Sequence, residues 1–182
     1  MRRLSVLFIF ILFLIPHQIV SARENEAAPS AKLANISVVE KKDNRANILK
    51  KFLQSYNSPL ADNAQTFIEQ ADIYELDWRL VASISGVEST FGKQIPNNSY
   101  NAWGWGIYGD NVIYFSSFDE AIKIISKGLK ENYIDKWGAQ DVYQIGKFYA
   151  ASPTWAQRVD YFMGKIEEFR VKNPTNNLSI SL

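Results

Sequence analysis

The sequence predicts one mainly helical domain over residues 44–172, interrupted by a short segment rich in glycine, asparagine and aromatic residues. Apolar side chains recur at steps of three and four residues in several separate stretches, which is the period of a helix with one buried face. Residues suited to helix capping stand where these stretches begin. The chain is 47% hydrophobic and 14% aromatic, so it can form a core.

Three helices are expected before residue 93. The first begins at Arg45, after which apolar residues recur at helical spacing. The second begins at Ser58, because serine accepts a hydrogen bond at a helix start and the proline that follows suits the first turn. The third is predicted to run from a cap at Asp77 to Phe91, where a glycine ends it.

Residues 93–116 lack the helical period. Glycine, aspartate and asparagine at 109–111 separate two apolar arms, 105–108 and 112–115. This pattern predicts a small β-hairpin.

A fourth helix is predicted to start at Ser117, whose spacing to Glu120 is that of a capping box. Further helices are expected at about 140–150 and 154–171, followed by a polar tail at 173–182.

The N-terminus predicts export. A basic start precedes an apolar run at 4–15, and small residues at 20–22 offer a cleavage site, which indicates a signal peptide over 1–22. The run is short for a membrane span of roughly 20 residues, so the chain would meet a membrane only as an uncleaved anchor. A polar stretch at 23–43 is predicted to be a flexible linker.

The charge and two scarce residue types limit the function. Cleavage after residue 22 would leave 18 of the 20 Lys and Arg against 19 acidic residues, which gives no basic patch for nucleic acid. The chain has no Cys, and its one His, His17, lies in the predicted signal. These absences exclude Ser-His-Asp and Cys-His catalysis and the usual zinc sites. Without a cofactor or metal, acid–base chemistry falls to Asp, Glu, Lys or Tyr.

One carboxylate stands out in the stretch RLVASISGVESTFGK, residues 79–93. At about 100° per residue, Glu88 falls between Ile84 and Val81 on the apolar face of the helix. Desolvation disfavours a charged carboxylate and raises its pKa, which suits a general acid for glycosidic bond cleavage. The alternative is a structural Glu88 that pairs with Arg158 or caps a neighbouring helix.

The segment SYNAWGWGIYG and the later SPTWAQRVDYF suggest a sugar-binding groove. Aromatic rings stack on the apolar faces of sugars, and amide groups bind sugar hydroxyls. The alternative is a tryptophan-rich core, and at least one of the two tryptophans of the first segment is expected to be buried. The predicted substrate-binding residues are Tyr100, Asn101, Trp103, Trp105, Tyr108, Trp155 and Tyr161.

An ordered series of blocks resembles the bacterial glucosaminidase family of peptidoglycan hydrolases. The blocks are ESTFG at 88–92, YNAWG at 100–104, FDEAI at 118–122, Trp-Ala at 155–156, and Tyr161. The family includes proteins like mannosyl-glycoprotein endo-beta-N-acetylglucosaminidase and belongs to the lysozyme-like superfamily. The resemblance covers most of the chain after the predicted signal.

The resemblance implies a lysozyme-like helical fold with a glycan cleft between lobes. It implies that Glu88 is the general acid at the end of a central helix, that Asn101 and Trp103 form part of the cleft wall, and that Tyr161 reaches the scissile sugar. The implied activity is cleavage of β-1,4 bonds in cell-wall glycan strands outside the cytoplasm. We expect a monomer without cofactor whose partner is peptidoglycan.

The sequence departs from the family at one block, because Ala102-Trp103 stands where Leu-Phe or Phe-Phe is usual. A classical glycosidase needs a second carboxylate, and Asp110 is the best candidate by position; Asp119 and Glu120 better suit a helix start. Without one, the N-acetyl group or the 6-hydroxyl of the substrate would act.

Three rivals to the hydrolase stay open. A lytic transglycosylase would form anhydro-muramyl ends, although the Gly-Leu-x-Gln block of those enzymes is absent. A non-catalytic glycan-binding module would use the aromatic residues alone. A structural or interaction protein would have no affinity for glycans.

Overall fold

The computed structural model describes residues 43–106 and 112–174. The predicted signal peptide, the linker up to residue 42, the hairpin turn with Tyr108 and Asp110, and the tail from residue 175 lie outside the described residues.

The described residues form six α-helices, one 3-10 helix and one π-helix, so the predicted mainly helical fold is confirmed. The α-helices are α1 Arg45–Ser55, α2 Ala64–Ile73, α3 Leu80–Ser89, α4 Phe118–Gly128, α5 Val142–Tyr149 and α6 Trp155–Lys172. The 3-10 helix Pro59–Asn63 precedes α2, and the π-helix Leu129–Asp135 directly follows α4. Each of these helices is too short or too polar to span a bilayer.

Helix α3 lies at the centre of the domain. Every residue from Leu80 to Gly86 is buried, and the helix packs against α6 and α4. Gly86 permits a close approach, because a Cβ there would lie 2.7 Å from the ring of Phe91 and 3.1 Å from that of Phe162. Gly86 therefore lies where α6 packs on α3.

Local hydrogen bonds account for the helix starts. The Ser58 hydroxyl accepts from Leu60 N at 3.0 Å, and the Ser117 hydroxyl accepts from Glu120 N at 3.1 Å. The Glu120 carboxylate accepts from Ser116 N at 2.5 Å, one residue earlier than in a capping box. These bonds satisfy N–H groups that a helix start leaves free.

Helix α3 is shorter than predicted at both ends. It begins at Leu80 because Asp77 forms a preceding turn, in which its carboxylate accepts from Arg79 N at 2.9 Å. It ends at Ser89 because Thr90 has a φ of 54° and Phe91 a φ of 60°, both left-handed. Side chains seldom adopt this conformation, so apolar periodicity did not indicate it.

The predicted β-hairpin is not observed in the described residues. Positions 112–115 form no strand, and Phe115 N instead donates to Ser99 O at 2.9 Å. Asn101 holds the segment together: its side-chain nitrogen donates to the carbonyl oxygens of Trp105 and Ile113 at 2.9 and 3.1 Å. A buried amide side chain thus supplies bonds that a strand ladder would otherwise provide.

Candidate active site

Glu88 lies in the last turn of α3, facing the start of α6. Its Oε1 accepts a hydrogen bond of 2.6 Å from the indole Nε1 of Trp155, the first residue of α6. On the other side, a Cβ added to Gly104 would lie 3.4 Å from Glu88 Oε2. The carboxylate therefore sits between α6 and the loop that contains Gly104.

The surroundings of Glu88 differ in part from the prediction. The residue as a whole is exposed rather than enclosed by Ile84 and Val81. Nevertheless, loss of hydration raises the pKa of the Glu88 carboxyl above its ordinary value of 4.5, and the Trp155 hydrogen bond and the charge of Arg158 oppose this rise. Glu88 is thus accessible to a ligand and retains its proton to a higher pH than a free glutamic acid.

The alternative of a structural ion pair between Glu88 and Arg158 is not observed. Within the described residues, no nitrogen of a basic side chain lies within 4.0 Å of the Glu88 carboxylate. The Arg158 guanidinium instead donates to Val87 O at 3.1 Å. Within the described residues, Glu88 is therefore held by the Trp155 hydrogen bond, and Arg158 acts on it only through its charge.

Tyr149 is a site residue that the sequence reasoning missed. Its ring stacks on Trp155, with centroids 4.6 Å apart and planes 21° apart, and its hydroxyl donates to Trp103 O at 2.8 Å. Burial and the negative charge of Glu88 raise the pKa of Tyr149 well above its ordinary value, so it stays neutral. One sequence signal could have identified Tyr149: it lies at the end of the predicted helix 140–150, six residues before Trp155.

Ser89 ties the end of α3 to the loop opposite. The buried hydroxyl lies 2.8 Å from Ala102 O and 3.0 Å from Ser85 O, and it accepts from Gly92 N at 2.8 Å. The neighbour of Glu88 therefore fixes the distance between the carboxylate and the Gly104 loop.

Trp103 and Asn101 have structural positions instead of the predicted contact with sugar. Trp103 is fully buried, and its indole donates to Val81 O at 2.8 Å, so neither ring face is open to a ligand. Asn101 is 2% exposed, and its amide is occupied by the bonds to the loop. Trp103 confirms the expectation that at least one of the two tryptophans in this segment is buried.

The other predicted aromatic residues lie at three different places. Trp105 is half-buried and packs against Tyr149, with ring centroids 6.0 Å apart. Tyr100 is exposed and packs edge-on against Phe118. Tyr161 is exposed, and its ring lies against Phe162 and the ammonium of Lys165.

Arg158 is the charged side chain that lowers the pKa of Glu88, against the larger effect of lost hydration. Asp119 accepts hydrogen bonds from Asn63 and Thr66 of the neighbouring segment, which holds α4 against α2. The predicted candidate Asp110 lies outside the described residues. The described residues also contain no cluster of acidic side chains suited to a metal ion.

Comparison with known proteins identifies two curated proteins with similar sequences. Two proteins of Streptococcus pneumoniae, from strains TIGR4 and R6, are 31% identical over 121 residues, and each is named "Putative endo-beta-N-acetylglucosaminidase". The predicted resemblance to the glucosaminidases is confirmed. The match covers 62% of this chain but only 18% and 17% of these relatives, so the chain spans less than a fifth of their length. No family model matches the chain.

Two solved structures of S. aureus autolysin E have a similar fold. A catalytic mutant of S. aureus autolysin E in complex with the disaccharide NAG-NAM matches with a TM-score of 0.58 at 19% identity, over 68% of this chain and 66% of that one. Autolysin E in complex with the muropeptide NAM-L-ALA-D-iGLU matches with a TM-score of 0.54 at 19% identity, with the same coverage. The predicted lysozyme-like helical fold is confirmed by these matches.

Proposed function

We propose that this domain cleaves β-1,4 glycosidic bonds in the glycan strands of peptidoglycan, outside the cytoplasm, with Glu88 as general acid/base. The observation that carries the proposal is the accessible Glu88 carboxyl with a raised pKa, held by Trp155 beside half-buried aromatic rings. The names of the relatives and the glycan ligands of the autolysin E structures support this choice of substrate.

The chemistry follows from the protonated Glu88. The carboxyl donates its proton to the glycosidic oxygen while the bond from that oxygen to the anomeric carbon breaks. The N-acetyl oxygen of the cut sugar attacks the anomeric carbon and takes the place of a protein nucleophile. The Glu88 carboxylate then removes a proton from a water molecule and becomes protonated again. The water oxygen bonds to the same carbon while the bond from that carbon to the N-acetyl oxygen breaks.

A lytic transglycosylase would use the same acid with a different second step. There, the Glu88 carboxylate would accept the proton of the 6-hydroxyl of the muramic sugar, and that hydroxyl would form the anhydro ring. Hydrolysis is the preferred proposal because the relatives carry the glucosaminidase name.

The test is digestion of purified peptidoglycan by the wild type and by Glu88→Gln, with the fragments identified by mass spectrometry. We expect reducing N-acetylglucosamine ends from the wild type and a loss of at least about a hundredfold in the variant, since general acid catalysis contributes on that order. Glu69→Gln, at an exposed position of α2, is the matched control and should retain activity.

The alternative outcomes are distinct. Full activity of Glu88→Gln would refute the proposed role of Glu88. Anhydro ends would indicate a transglycosylase with the same acid. Wall binding without released fragments from any variant would favour a glycan-binding module.

A further inference from the structure

The structure contains a run of aromatic ring contacts that leads from Trp155, which holds Glu88, to two exposed rings. Tyr149 stacks on Trp155, Tyr133 lies 5.8 Å from Tyr149 between centroids, and Trp137 lies 5.3 Å from Tyr133. Phe148 closes the run at 4.5 Å from Trp137. The inner rings are buried or half-buried, whereas Trp137 and Phe148 are 45% and 51% exposed.

Trp137 and Phe148 form an exposed aromatic pair, and the backbone holds Trp137 in place. The turn after the π-helix is closed by two hydrogen bonds, from Gly138 N to Ile134 O at 2.8 Å and from Ala139 N to Tyr133 O at 3.0 Å. The two exposed rings present apolar area to water, and aromatic side chains lose little conformational entropy on binding because they have only two rotatable bonds.

We propose that Trp137 and Phe148 are a distal glycan-binding platform, on which sugars of the strand stack beyond those at Glu88. The inference rests on the proposed function and specifies where the strand continues. Sugar rings offer apolar C–H faces to aromatic rings, and ring contacts through Tyr133 and Tyr149 connect this exposed pair to Trp155, which holds Glu88.

The charges around the pair favour this occupant. The ammonium of Lys136 lies 5.8 Å from the centre of the Trp137 ring, and the exposed Lys147 precedes Phe148 in the sequence of α5. Peptidoglycan strands carry carboxylates on their lactyl groups and peptides, so cations beside a stacking surface complement them. A neutral apolar partner would gain nothing from these lysines.

The test measures binding separately from cleavage. In the Glu88→Gln background, calorimetry would compare peptide-free glycan strands with the disaccharide, for Trp137→Ala, Phe148→Ala and the parent. We expect each substitution to weaken strand binding by about threefold to tenfold, because one aromatic contact is lost, and to leave disaccharide binding unchanged. Thermal unfolding would verify that the variants remain folded.

Tyr143→Ala is the matched control, because Tyr143 lies on the same helix α5 and is 48% exposed, but its hydroxyl bonds to Asp160 of α6 instead of extending the run. It should leave strand binding unchanged. Three results would overturn the platform: undiminished strand affinity in both variants, an equal loss for the disaccharide, or a self-association that the two substitutions abolish.

Failure of the two proposals can be told apart. If Glu88→Gln retained full activity while Trp137→Ala still weakened strand binding, the acid would be misassigned and the platform would stand. If Glu88→Gln were inactive and the ring variants bound strands normally, only the platform would fall.

Discussion

The indole of Trp155 donates a 2.6 Å hydrogen bond to the Glu88 carboxylate and thereby joins the first residue of α6 to the last turn of α3. Trp155 is itself almost fully buried, so its N–H has a fixed direction. The bond favours the charged form of Glu88, whereas loss of hydration favours the neutral form and is the larger effect. This balance sets the pH at which Glu88 can act as an acid.

The raised pKa of Glu88 predicts the pH dependence of activity. Because the proton donor must be protonated, the rate should decline as pH rises through the pKa of Glu88, which lies above the ordinary 4.5. Initial rates on purified peptidoglycan across a pH series would locate this decline, which is the alkaline limb of the pH–rate profile. A rate that stays constant from acidic to alkaline pH would contradict the role of Glu88.

Trp155→Phe should move that limb to higher pH. The substitution keeps an aromatic ring against Tyr149 but removes the donor that favours the charged carboxylate, so the pKa of Glu88 should rise further. Trp103→Phe is the control, because it removes a bond to Val81 O in the core and should lower stability without moving the limb. An unmoved limb in Trp155→Phe would show that the hydrogen bond does not control the acid.

Ser89→Ala should lower both stability and activity. The substitution leaves the buried Gly92 N–H without its acceptor, at a cost of about 1–3 kcal/mol in the free energy of unfolding, and loosens the end of α3 that carries Glu88. Urea unfolding would measure the cost. Ser83→Ala on the same helix is the control: its buried hydroxyl has no partner among the described residues, so its loss should be neutral or stabilising. Equal stability of the two variants would contradict the assignment.

Gly128→Ala should displace the Trp105 ring from its contact with Tyr149. An added Cβ would lie 2.4 Å from the Trp105 ring, so the ring must move, at a cost of about 1–3 kcal/mol in the free energy of unfolding. Gly164→Ala on α6 is the control, since no atom lies within 4 Å of its added Cβ and the helix should gain up to about 1 kcal/mol. Thermal unfolding and glycan binding would test both. A Gly128→Ala protein as stable as Gly164→Ala would contradict the packing.

Local signals in the sequence predicted the helices well where one face is buried along the whole element. Helix α1 begins at Arg45, and α6 spans Trp155–Lys172 against a predicted 154–171. The π-helix after α4 had no such signal, because the wider turn changes hydrogen bonding and leaves the apolar pattern almost unaltered. The left-handed residues after α3 were missed for a similar reason: threonine and phenylalanine seldom mark such a turn.

The site shows the limit of reasoning from residue type. Trp103 and Trp105 are two residues apart and were predicted alike, yet the first is fully buried and the second is half-buried. The difference depends on the Val81 carbonyl that binds the Trp103 indole and on the space that Gly128 of α4 leaves for the Trp105 ring. Tyr149 was missed because its role arises from contacts with two other segments.

The sequence by itself determined the helical fold class, the exclusion of histidine and cysteine chemistry after the predicted signal, and Glu88 as the leading candidate acid. These features depend on local periodicity and on residue type, and both can be read directly from the sequence. Only the tertiary structure decided that Trp155 holds Glu88, that Tyr149 stacks on Trp155, and that Trp137 and Phe148 continue the run of ring contacts. Glu88 and Trp155 are 67 residues apart, and a hydrogen bond across that separation forms only when α3 and α6 pack together.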